Sequence, residues 1–364
     1  MTGLFGPIVV SAADKVSYNF QIQPILAENC LKCHGQDEKQ RKAKLRLDVR
    51  ESALQNKVIV PGKPDESSFI ERLLTHDTDE IMPPPKENKI LTAEQVAILK
   101  RWITEGAEYE KHWSFIPVAQ VAVPEITDRK VVIENSIDAF VVDRLKTAGL
   151  SQAKPATREE WLRRVTFDLT GLPPTLGELD QFLADDASNA FEKVVDRLLS
   201  SSAYGERMAV DWLDVARFAD TYGRHEDHDS LTWPYRDWVI RAFNDNLPYD
   251  KFVLWQTAGD MLPAPTQDMY LATAFNRLPQ QSNEAGSNEE EFRQDIVADR
   301  VHTNSIAFLG LSMECARCHD HKYDPISTKD YYSFSAFLNN IDECGLYTVY
   351  TSNIPAPSMF VYDG

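Results

Sequence analysis

Apolar residues recur along this chain at helical rather than strand spacing. Val96, Leu99 and Ile103 follow Thr92 and Gln95, whose T-x-x-Q spacing is a capping-box signature, and Gly106 stands where that helix closes. Ile137, Phe140, Val141 and Leu145 fall at i, i+3, i+4 and i+8, which predicts a second amphipathic helix. Thr157 caps a third, carrying Trp161, Leu162 and Val165, and "GLPP" at Gly171 to Pro174 stops it. Phe191, Val194, Val195 and Leu198 form another stripe. Trp212 to Phe218 and Trp238 to Phe243 read as buried helices. The last long helix holds Phe292, Ile296, Val301, Ile306 and Phe308, with the acids Glu289 to Glu291 at its N-terminus. The one strand signal is "LYTVYTS", 346–352. The expected fold class is mainly α.

These elements group into segments. Residues 1–13 pair an apolar stretch, Leu4 to Val10, with Ser11-Ala12-Ala13, as at the end of a secretory signal. Residues 14–113 form a first, small helical domain. The proline-bearing stretch 114–135 has no helical period and reads as a linker. Residues 136–342 form a second, larger, mostly helical domain, and 343–364 begin a further region that is apparently cut short. No apolar run is long enough to span a membrane. The formal charge of -18 argues against a general nucleic-acid binder, which needs a positive face.

The chemistry lies in the cysteines. Four of the 5 fall in two copies of C-x-x-C-H, "CLKCH" at Cys30 to His34 and "CARCH" at Cys315 to His319. This is the attachment signature of c-type haem. Two thiols one helical turn apart add to the two vinyl groups of one porphyrin, and the next imidazole reaches the iron. Cys30 and Cys33 with His34 are therefore expected to hold one haem, and Cys315 and Cys318 with His319 a second. A single four-cysteine zinc site is the competing reading, but it needs ligand pairs hundreds of residues apart and leaves both histidines unexplained. Redox thiol pairs rank below it. Cys344 is left over, as a small apolar residue of the interior.

Met82, in "IMPPP", is the candidate sixth ligand of the first iron. For the second, His302 on the preceding helix is a candidate, and His225 and His228 in "GRHEDHD" are others; an open iron is the remaining possibility. His321 follows the second motif too closely to reach the far side of its iron. It reads as a loop-orienting residue, with a general base beside the haem as the minority view. The basic run "RKAKLR", Arg41 to Arg46, pairs with propionates, steers a partner or is a solvated face. The aromatics of "WPYRDW", Trp233 to Trp238, read as core.

The chain resembles the planctomycete and verrucomicrobial family of secreted cytochrome-like proteins, with a Planctomycete cytochrome c domain followed by a DUF1549 domain. The resemblance rests on "ILAENCLKCHG", "LRLDVRESAL", "EIMPPP", "DLTGLPPT", "WPYRDWVIRAFNDNLPYDKF" and "GLSMECARCHDHKYDPIS". It implies a small cytochrome c-like domain and a larger helical haem domain, two covalently bound haem c groups, and export to the periplasm. Electron transfer with a redox partner protein is the leading expectation. A haem-dependent oxidoreductase acting on a carbohydrate-type substrate is the first alternative, and a carbohydrate-binding scaffold with structural haems is the second. "HDHKYDP" is a hallmark of the family, which keeps a functional role for His321 in view.

Overall fold

The computed structural model describes residues 15–128, 131–224, 227, 229–282, 288–343 and 357–361. The leader 1–13, "LYTVYTS", Cys344, His225 and His228 lie outside the described residues. Among the described residues there are helices and loops but no strand, so the fold is mainly α. The chain divides into two compact units. One joins Met1–Val118 to Leu311–Phe337, and the other joins Ala119–Gly310 to Leu338–Gly364. Compactness therefore does not follow chain order, because the segment with the second C-x-x-C-H packs with the first unit.

The first unit is built around its longest helix, Ala93–Thr104. Both halves of the predicted capping box form: Thr92 Oγ1 accepts from the Gln95 amide and Gln95 Oε1 from the Thr92 amide. This helix buries Leu99, Trp102 and Ile103 against Ile22 and Leu26, near the N-terminus. Trp102 also meets the rings of Tyr18 and Tyr109, at 5.9 and 5.2 Å between centroids. The polar tips stay satisfied. Trp102 Nε1 donates to the Glu108 carbonyl at 2.9 Å, and the Tyr109 hydroxyl donates to that of Leu47 at 2.9 Å.

The second unit stacks helices in the order expected from sequence. Thr157 caps Arg158–Thr170, which ends at Gly171 in the left-handed region (φ 70°). Helix Ser202–Val215 crosses Trp233–Asn244 at Gly205, where a Cβ would lie 2.5 Å from the Ile240 carbonyl oxygen. The Gly205 amide donates to Asn244 Oδ1 at 2.8 Å across the same crossing. Tyr235 and Trp238 of "WPYRDW" are core residues, and the Tyr235 hydroxyl donates to buried Gln256. One expected face is different. In Ser136–Thr147, Ile137 is 73% exposed and Val141 49%, whereas Ala139 and Val142 are buried. The spacing identified the helix but not which of two adjacent faces finds cover.

An ion cluster pins the end of this unit. The Arg300 side chain is fully buried and that of Glu343 nearly so. Arg300 Nη2 and Arg277 Nη1 donate to Glu343 Oε2 at 2.6 and 2.7 Å, and Arg300 Nε donates to the Asn276 carbonyl at 2.6 Å. Removing the one carboxylate would strand buried cations, which is far costlier than losing a surface pair. Glu343→Ala is expected to lower the unfolding free energy by about 3–5 kcal/mol. Denaturant titration checks this, and a loss of a few tenths would contradict it.

Candidate functional site

Both C-x-x-C-H segments close the same backbone turn. At the first, the Cys33 and His34 amides donate to the Cys30 carbonyl at 3.1 and 2.9 Å. At the second, the Cys318 and His319 amides donate to the Cys315 carbonyl, both at 3.3 Å. In each case the turn sets two thiols and the following imidazole one helical turn apart. All four cysteines are free thiols. Among the described residues no three His, Cys, Asp or Glu side chains gather into a metal site.

The first turn is part of the core. Helix Gln23–Asn29 leads into it, and the Cys30 amide donates to the Leu26 carbonyl at 2.7 Å. The chain then leaves the helix at Gly35, where a Cβ would stand 2.3 Å from the Leu31 carbonyl oxygen. It folds back so that the Lys42 amide caps the Cys33 carbonyl and the Leu47 amide caps that of His34, at 2.7 and 2.8 Å. Arg41, from the basic run, clamps the Gly35 and Gln36 carbonyls at 2.9 and 2.6 Å. Arg46 of the same run pairs with Asp48. Burial keeps the His34 imidazole below its ordinary pKa, with the Lys42 backbone opposing. No hydrogen bond reaches its buried Nδ1. A neutral imidazole is the form that ligates a metal. Cys30 packs on the core, and burial pushes its thiol up to about 12.

The second turn is solvent-facing, with Cys315, Cys318 and His319 all exposed. The Asp320 carbonyl accepts from His319 Nδ1 at 2.8 Å, which fixes the tautomer and leaves Nε2 to ligate. His319 lines a cleft of about 570 Å³ within the first unit, which Leu31 and Lys32 of the first motif also line. Gln36, two residues past His34, donates through Nε2 to the carbonyl of His321, two residues past His319, at 3.1 Å. The donor sets of both turns fit haem c: free thiols at the attachment spacing, and an imidazole nitrogen held available at each.

A family described as "Protein of unknown function (DUF1549)" matches residues 136–343, and one described as "Planctomycete cytochrome C" matches residues 30–86. The chain belongs to the DUF1549 family. The Planctomycete cytochrome C match implies haem c binding and suggests a cytochrome-type role. No curated protein and no solved structure matches this DUF1549 protein. No helix among the described residues is long and apolar enough to cross a membrane.

The structure brings Cys30, Cys33, His34, Cys315, Cys318, His319 and His321 of this DUF1549 protein into one unit. Met82 is also in that unit, half-buried in the loop after helix Ser68–Leu74, with its amide donating to the Arg72 carbonyl at 2.8 Å. His302 is on helix Glu289–Asn304 of the other unit. His321 is hydrogen-bonded within its own loop. Its Nδ1 accepts the Asp324 amide at 2.9 Å, and its own amide donates to the Ile326 carbonyl at 2.8 Å. His112 was invisible as a functional residue in the sequence. It stands at the end of the first expected domain, two residues before the linker, and only the fold brings it to the cleft beside His319 and Asp324. A lone histidine before a proline-rich stretch carries no signal of that placement.

The two motifs should differ in thiol reactivity. In the reduced, haem-free protein, alkylation at neutral pH is expected to modify exposed Cys315 and Cys318 well ahead of Cys30. Because the Cys30 thiol is raised to about 12, its rate should climb roughly tenfold per pH unit up to that value. Site-resolved mass spectrometry reads this, and a Cys30 rate that levels off near pH 9 would contradict the burial.

Proposed function

We propose that this protein is an exported dihaem c-type cytochrome that passes electrons to a redox partner protein. Cys30 and Cys33 hold one haem with His34 as ligand, and Cys315 and Cys318 hold the other with His319. The observation that carries the reading is the pair of matching turns within one compact unit, joined by the Gln36 to His321 hydrogen bond. Two redox groups held by a single unit are a relay by construction, since no domain motion is needed to bring them within range of each other.

Bound haem c supplies one-electron redox chemistry at each site. The chain supplies attachment, orientation and dielectric. Burial keeps His34 neutral and available as a ligand. At the second turn the Asp320 carbonyl holds the ring of His319, and Asp320 Oδ1 is itself held by the Thr328 amide at 2.8 Å. Met82 is the proposed sixth ligand at the first site, where thioether ligation raises the potential. His302 is retained as a candidate only for the second. The net charge of -18 suits a partner with a basic face.

The cleft beside His319 favours a second reading, a haem-dependent oxidoreductase. This cleft of about 570 Å³, to which His112, His319, His321, Asp320 and Asp324 contribute polar groups, is large enough for a small substrate, including one of carbohydrate type. His321 would be the candidate acid or base there.

Maturation with a c-type haem system tests both readings. The expected result is two covalent haems per chain, falling to one in Cys315→Ser/Cys318→Ser. A chain with one haem or none overturns the relay. Carbon monoxide added to the reduced protein then separates the roles. No spectral change means two firmly six-coordinate irons and a pure relay, while a shift in about half the haem means one exchangeable iron and supports the oxidoreductase.

A further inference from the structure

Met313, Ala316 and Ile326 are buried around the second motif, and the loop that carries its exposed residues has one definite hydrogen-bonding pattern. The His321 amide donates to the Ile326 carbonyl, and the Ile326 amide donates to that of Asp324, both at 2.8 Å. The Tyr323 and Asp324 amides converge on His321 Nδ1 at 3.3 and 2.9 Å. That nitrogen is therefore an acceptor, and the His321 proton is on Nε2. These bonds close the loop on itself without saying where it sits.

His112 supplies one of the bonds that locate it, beside Gln36, which donates to the His321 carbonyl at 3.1 Å, and Gln23, which donates to the Tyr323 carbonyl at 2.8 Å. Nε2 of His112 lies 3.0 Å from Asp324 Oδ1, and its Nδ1 lies 2.8 Å from Ser114 Oγ. Opposite a carboxylate, Nε2 carries the proton and Nδ1 accepts from the serine hydroxyl. Both ring nitrogens are thus committed, and the side chain is only 11% exposed. Its support is firm. The neighbouring Lys111 carbonyl accepts from Asn19 Nδ2 at 2.9 Å, and the Glu110 carboxylate accepts from the same Asn19 amide group at 2.8 Å. Trp113 and Phe115 flank the imidazole at 5.8 and 5.6 Å. A charge-assisted bond thus runs from this anchored ring to the middle of an otherwise exposed loop.

We propose that His112 is a positioning residue for the second haem site. By donating Nε2–H to Asp324, it fixes the loop His319 to Ile326 so that the Asp320 carbonyl holds the ring of His319 in a single orientation. The proposal rests on the dihaem reading for its haem part alone, because placement of the loop can be read without haem. It also makes His112 a holder of the loop and not an iron ligand, since ligation through Nε2 would cost the bond to Asp324.

The test uses His112→Ala and His112→Gln in the full chain. In haem-free protein, hydrogen exchange of the His321, Tyr323, Asp324 and Ile326 amides should rise about tenfold or more in His112→Ala, the effect of losing a hydrogen bond to a charged group. Exchange in helix Ala93–Thr104 should stay unchanged, which shows that the unit still folds. His112→Gln keeps a donor for Asp324 and should recover most of the protection. In the matured protein, electron paramagnetic resonance should show the second haem of His112→Ala split into several ligand orientations, with the first haem as in the parent. Loop exchange equal to the parent in His112→Ala overturns the proposal, as does a second-haem signal that remains single. Loss of protection in His112→Gln equal to that in His112→Ala would show that the imidazole's bulk, not its donated bond, holds the loop, and so overturns it too. The haem count is independent of these results: one haem per chain defeats the dihaem reading while the exchange data still decide what holds the loop.

Discussion

Directed polar contacts hold the loop that follows the second C-x-x-C-H turn. The turn's thiols and its imidazole face solvent, and apolar burial in the turn and its loop is confined to Met313, Ala316 and Ile326. What remains is a short series of directed bonds from the other end of the chain: Gln36 to the His321 carbonyl, His112 to Asp324, and Gln23 to the Tyr323 carbonyl at 2.8 Å. Lys322 adds an ion pair with Glu28, which also accepts from the Tyr323 hydroxyl. Such bonds are directional in a way that burial is not. They specify one placement for a loop that hydrophobic contact alone would leave free to slide.

The two sites differ in environment as a result. The first turn grows out of a core helix and shares its low dielectric, as the raised Cys30 thiol and the neutral His34 record. The second is in contact with water. Burial disfavours the more highly charged, oxidised state of an iron centre, so on the dihaem reading the first site is the stronger electron acceptor. Direction of flow is then a property of how deeply each turn is set, and the thioether proposed at Met82 would act in the same sense.

Much of the molecule could be read along the chain. The capping boxes at Thr92 and Thr157, the stop at Gly171 and the burial of Trp238 are local events, and local sequence determines them. The two C-x-x-C-H turns were equally visible along the chain, because each is a local pattern of five residues. Three things were not. The covered face of Ser136–Thr147 depends on neighbours that its own periodicity does not name. The joining of Leu311–Phe337 to Met1–Val118 is a contact between the ends of the described chain. His112 becomes a partner only once that joining has happened, so no pattern around it points to Asp324.

The discontinuity of the first unit bears on how the protein comes to exist. A unit made of two chain stretches cannot be completed until the later one has been made and delivered, with all of Ala119–Gly310 lying between them. Closing so long a loop costs entropy, though the cost grows only slowly with length. Emerging in order, the first turn can form its core and meet its attachment machinery while the second has yet to appear. The later segment can then dock onto a surface already built, and that step is the one that brings the two C-x-x-C-H turns into one unit.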